Sequence, residues 1–272
     1  LVQRMGLWYY DLILGWFDHP RLYEEMHVQS QIGSRLIDLP YRDVADVAMC
    51  LDADGWRAYS GYGEEPLEPE KQPTRPIRSF LEDFGRNHYQ AMMRIGAMRD
   101  IILARDLFRD DVRDYKLYFF PTIFMADHAI RDKVHELAQS GKTVLLTYAS
   151  GIADDDSLSL ENMQSLTRMA IEVDSTYQPL AAETIESDHP LLRDIGPGTT
   201  IGNPSSHGPR FFVTDPQAIA LARWDDGRVA MAVKPMGDGA IVYCAVPLIQ
   251  PQMLRNIAEF AGAHVGMDHV VA

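Results

Sequence analysis

Four short runs are apolar at nearly every position: "DVAMCLD" at residues 46–52, "DIILARD", "DYKLYFFPT" and "KTVLLTYA". Runs of this length without polar alternation mark strands covered on both faces, the habit of parallel sheets. Strands are therefore expected near 45–51, 99–104, 115–120 and 143–149. Between the last two, helical spacing runs from about Asp127 to Gln139 and stops at Ser140-Gly141, where glycine supplies a left-handed end. A further helix is expected from Ile77 to Gly96 on Phe80, Phe84, Met92, Met93 and Ile95, weakened in its middle by Gly85.

Before these lies an apolar aromatic run at Gly6 to Asp11, a loop through "GWFDHP", and a helix over residues 20–38 with Leu22, Met26, Ile32 and Leu36 at helical spacing. Pro20 suits its first turn, with Asp18 or His19 at the cap. Residues 61–76, "GYGEEPLEPEKQPTRP", read as a long mobile loop. After Ala170 the pattern changes to "AIALARW", "RVAMAVKP" and "AIVYCAVPL", separated by "DDG" and "GDG", which signal hairpins. A closing helix is expected from Gln250 to Ala261, with Pro251 in its first turn and Gly262 at its stop. Alternation of strand and helix implies right-handed crossovers, hence an α/β fold with a mostly parallel sheet, helices on both faces and late β-hairpins.

Charge narrows the partners. The 272 residues carry a formal charge of −14, with no basic stripe, so nucleic acid is not an expected partner. No run is long enough to span a bilayer. Cys50 and Cys244 sit in apolar runs and are expected to be buried thiols rather than a disulfide or metal ligands. The chain starts at Leu1 without a basic segment, apolar core and cleavage site, which favours the cytoplasm and suggests a piece of a longer protein.

"YKLYFFPTIFMADHAIRDKVHELAQSGKTVLLTYASGIADD" resembles the middle domain of family 42 glycoside hydrolases, the β-galactosidase trimerisation domain. The shared elements are Pro121 after a strand, the helix, "SGKTVLLTY", and then Ser150, Gly151, Ile152 and Asp154. "GLWYYD" resembles the eighth strand of the (β/α)8 barrel that precedes this domain, residues 20–38 its last helix, and "MLRNIAEFAG" the domain's last helix. The resemblance implies a flavodoxin-like, class I glutamine-amidotransferase-like fold over residues 41–272. Residues 1–40 would be the last β/α unit of a glycosidase barrel. It also implies a homo-oligomer, a trimer in the family, whose carbohydrate substrate binds through the barrel. The catalytic glutamates end the fourth and seventh barrel strands, upstream of this chain, and no cofactor is needed.

Laid on the Gly-x-Cys-x-Gly nucleophile turn of active amidotransferases, Thr147 to Gly151 puts Ala149 at the nucleophile. Alanine cannot attack a carbonyl. Ser150 next to it is an alternative nucleophile if His128, His135, His189 or His207 supplied a base, yet no local spacing singles one out; a turn-forming serine is the simpler reading. "DDDSLSLEN" from Asp154 lacks the alternating ligands of a calcium loop, so no metal is expected and Ser159 reads as a helix cap. Trp8, Asp11 and Trp16 are the candidate sugar contacts, because barrel sites form at carboxyl strand ends and indole faces stack on sugar rings. The leading reading is a non-catalytic assembly domain of a β-galactosidase-like glycoside hydrolase. A free-standing hydrolase using Ser150, or a sugar-binding module, stands against it.

Overall fold

The computed structural model describes residues 18–40, 44–55 and 83–266. The strand read at Gly6–Asp11, the 61–76 loop and the first six residues of the 77–96 helix lie outside them. The chain forms two compact units, Leu1–Val44 and Ala45–Ala272.

The first unit holds α1 (Pro20–Leu36). His19 is its cap, its Nδ1 accepting from Arg21 N at 3.2 Å, and Pro20 occupies the first turn. None of its residues is buried, although Leu22, Val28 and Ile32 are apolar.

The second unit is built on β1 (Val47–Leu51), β2 (Arg99–Leu103), β3 (Leu117–Phe120) and β4 (Thr143–Thr147), each where the apolar runs predict it. Between β1 and β2 the helix expected to Gly96 is a π-helical turn at Asp83–Asn87 containing Gly85, followed by the short α2 (His88–Met92). Between β3 and β4 runs α3 (His128–Gln139), capped by Asp127, whose carboxylate accepts from Ile130 N at 2.9 Å. After β4 comes α4 (Leu160–Thr167), capped by Ser159, whose hydroxyl accepts from Asn162 N at 3.3 Å.

Beyond α4 lie two 14-residue strands that the sequence does not announce, β5 (Ile171–Thr184) and β6 (Thr200–Val213). Then come β7 (Ile219–Arg223), β8 (Val229–Met236), β9 (Gly239–Cys244) and α5 (Pro251–Phe260). All nine strands form one sheet in the order β2-β1-β3-β4-β9-β8-β6-β5-β7, with β8 also paired to β7. The pairs from β2 through β9 are parallel; those among β5, β6, β7, β8 and β9 are antiparallel.

The expected mostly parallel sheet is thus corrected to a mixed one. The late strands are more than appended hairpins: β8, β6, β5 and β7 close on one another as a small barrel. The strand read as the last hairpin arm, β9, belongs to both halves, antiparallel to β8 and parallel to β4. Its side chains from Ala240 to Cys244 are all buried, as a strand flanked on both sides requires. Cys50 and Cys244 are buried and unpaired.

Candidate functional site

The carboxyl ends of parallel strands are where open α/β sheets place their chemistry. At the end of β4 the chain turns sharply: Tyr148 has φ +49° and Gly151 φ +71°. A tyrosine in this region is strained and needs its surroundings to hold it there. They do. Tyr148 N donates to Cys244 O at 2.7 Å, Tyr243 Oη donates to Tyr148 O at 2.6 Å, and Tyr148 Oη donates to Pro209 O at 3.2 Å. Its ring is wedged between Phe84 and Phe211, with centroids 5.7 and 5.2 Å away.

Ala149 and Ser150 lie inside this turn, and both are buried. The Ser150 hydroxyl donates to Thr147 O at 2.6 Å and accepts from Thr147 N at 3.1 Å. Both functions of the oxygen are used on the backbone of the preceding turn. Gly151 packs so tightly that a Cβ would come within 2.6 Å of Leu166 Cδ2. The strained residue is therefore Tyr148, one position before the one assigned to the lost nucleophile, and its side chain is a packing element.

The histidines weighed as bases serve other purposes. His135 Nε2 faces the carbonyls of Ser165 and Leu166 at 2.9 and 3.1 Å while Nδ1 meets the Arg168 guanidinium at 3.2 Å. Burial, followed by the Arg168 charge, lowers its pKa. His189 Nδ1 accepts from Leu191 N at 3.3 Å. His207 stacks on Tyr177, with ring planes 15° apart. His128 opens α3 just beyond the Asp127 cap. Ser150 has no base bonded to it among the described residues, which removes the support for its use as a nucleophile.

The acidic run after Ile152 is a turn. Asp154 accepts from Asp156 N at 3.0 Å and Ser157 N at 2.7 Å, and Arg131 reaches it at 3.2 Å. Those backbone donors, with the guanidinium, lower the Asp154 pKa to about 2. Among the described residues no group of three or more potential ligands could hold a metal ion.

Two buried acids at this edge are not among the residues the sequence singles out. Asp52, at the end of β1, accepts from Gly55 N at 2.7 Å, and burial raises its pKa. Asp83, 1% exposed, accepts from Asn87 Nδ2 at 2.8 Å, Asn203 Nδ2 at 2.8 Å and Ser206 Oγ at 2.7 Å. Asn203 stands just before, and Ser206 at the end of, a bulge in β6 where the register against β5 shifts between Pro179 and Leu180. Asp83 thus ties the segment before α2 to β6 and spends all three bonds on neutral donors, an anchoring role. The signal in the sequence is faint: Asp83 falls inside the helix expected over 77–96, and Asn203 and Ser206 lie among prolines and glycines with no strand alternation. Trp8, Asp11 and Trp16 lie outside the described residues.

Residues 45–267 match the family described as beta-galactosidase trimerisation domain. Over 265 residues the chain is 23% identical to the beta-galactosidase BglY of Alicyclobacillus acidocaldarius, covering 92% of this chain and 35% of BglY. Two solved structures are similar: the beta-galactosidase of Rahnella sp. R3 (TM-score 0.66, 20% identity) and that of Bacillus circulans sp. alkalophilus (TM-score 0.63, 20% identity). Each match covers 91% of this chain and 36% of the other. The chain spans about a third of the length of these relatives.

Proposed function

We propose, from the premise that this chain belongs to the beta-galactosidase trimerisation domain family, that it is the non-catalytic assembly domain of a glycoside hydrolase. The observation that carries this reading is the turn after β4. It keeps a strained strand-end conformation, yet the strained residue is Tyr148, packed and bonded through its hydroxyl to Pro209 O, and after it come only Ala149 and a Ser150 hydroxyl bonded to Thr147 at both its donor and acceptor functions. In this reading hydrolysis of a β-galactoside belongs to a barrel, through two carboxylates acting by double displacement. The assembly is a homotrimer and needs no cofactor.

The reading extends to the fold and to the first unit. The parallel order β2-β1-β3-β4-β9 is the 2-1-3-4-5 order of flavodoxin-like sheets, which supports a class I amidotransferase-like core. Helices in proteins draw most of their stability from packing an amphipathic face, so a 17-residue helix with no buried side chain supports α1 as a barrel helix completed by other strands. Trp8, Asp11 and Trp16 remain the proposed sugar contacts of that unit.

Sedimentation of the purified chain, together with an assay on a chromogenic β-galactoside, tests the proposal. A trimer without hydrolytic activity is expected. A monomer would sink the assembly role, and turnover by the isolated chain would sink the non-catalytic one.

A further inference from the structure

Among the described residues, β2 pairs with β1 and with no other strand. On one of its rows Ile101 and Leu103 are 47% and 53% exposed. Tyr89 and Met93, on and just after α2, are 42% and 51% exposed. The Arg99 guanidinium lies against Met93 Sδ and close to Tyr89, while Arg99 shares its strand row with Ile101 and Leu103. These side chains therefore make one continuous patch, and exposed Arg94 borders it. No carboxylate among the described residues pairs with Arg94 or Arg99; Asp100, the neighbour on the strand, faces Arg113 at 3.9 Å.

An apolar edge strand left open is a liability that proteins blunt or cover. We infer that this patch, Tyr89, Met93, Arg99, Ile101 and Leu103, is the surface through which the chain docks on a second copy of itself. The inference rests on the assembly reading above and deepens it by naming the contact. Two features favour a second copy as the occupant. Each copy carries a net charge of −14, so two guanidiniums without acid partners are drawn to it. In addition, among the described residues β7 is closed onto β8 and leaves β2 as the open edge of the strand order, so any contact other than β2 on β2 brings the patch against a different surface of the second copy. A three-fold ring requires such a heterologous contact, whereas β2 pairing with its own copy would be isologous and stop at a dimer.

The test is sedimentation of the whole chain beside an Ile101→Asp/Leu103→Asp variant. A trimeric parent and a monomeric variant are expected. A trimeric parent with a variant that remains trimeric overturns this inference and leaves the assembly reading standing. A parent that is itself monomeric overturns the assembly reading first. Should the double variant fail to fold, Leu103→Cys decides. With Cys50 and Cys244 buried, its thiol is the exposed one, and maleimide should label it more slowly in the trimer than in the diluted, dissociated chain. Equal rates in the two states would again overturn the contact.

Discussion

His88 is fully buried between sheet and helix, and the direction of its hydrogen bond fixes its protonation. Nε2 accepts from Ile249 N at 2.9 Å, which a doubly protonated ring cannot do, and the ring sits edge-on to Phe119. Burial lowers its pKa to about 3. The unfolded chain takes up this proton near pH 6.5 while the folded chain refuses it. Stability from His88 is therefore complete above pH 6.5 and is lost as pH falls from there toward 3. Between pH 7.5 and pH 5 the loss is about 2 kcal/mol from this residue. His135, lowered for the same primary reason, adds to the loss in the same direction. Urea unfolding at the two pH values is the measurement. His88→Gln, which keeps an acceptor for Ile249 N, should lose distinctly less than the parent, and equal losses would show that His88 does not titrate on unfolding.

At the level of elements, the parallel half of the sheet was legible because β1, β3 and β4 are short apolar runs buried on both sides. The barrel half was hidden in β5 and β6. Pro179 interrupts one, Pro204 and Pro209 the other, and prolines argue against a strand. Their alternation is also broken by bulges, one at Ser175–Tyr177 and one at Pro204–Ser206, so no period of two survives over the full length. Those bulges bring Tyr177 onto His207 and deliver Asn203 and Ser206 to Asp83. The site suffered likewise, since a positive φ at a tyrosine has no sequence signature, and the sequence pattern pointed to Ala149 where the structure strains Tyr148, one position earlier. Where β6 meets β5, Gly202 has φ +88°, and a Cβ there would stand 2.3 Å from Leu180 O and 2.9 Å from Val246 Cβ. Both neighbours are buried, and one is backbone. Gly202→Ala should cost at least about 2 kcal/mol in chemical unfolding, from backbone strain plus the forced shift. A change within a few tenths would mean the strand relaxes freely at this position.

For the whole molecule, the question is whether folding and assembly are separable. The Ala45–Ala272 unit has one contiguous core running from β1 through the barrel to α5, with Met49, Phe119, Leu145, Tyr243 and Leu254 all under 3% exposed. Such a unit can fold before it associates. The patch on β2 lies on its rim, so losing a partner exposes apolar surface without opening the core. Association that binds only the folded chain still raises its apparent stability by mass action. The midpoint of thermal unfolding should accordingly climb as protein concentration rises. In the Ile101→Asp/Leu103→Asp chain it should stay constant, at a value near that of the dissociated parent. Calorimetry at two concentrations reads both. A parent midpoint that ignores concentration would mean that the trimer comes apart well below the unfolding temperature, and the stability of the domain would then belong to its own core alone.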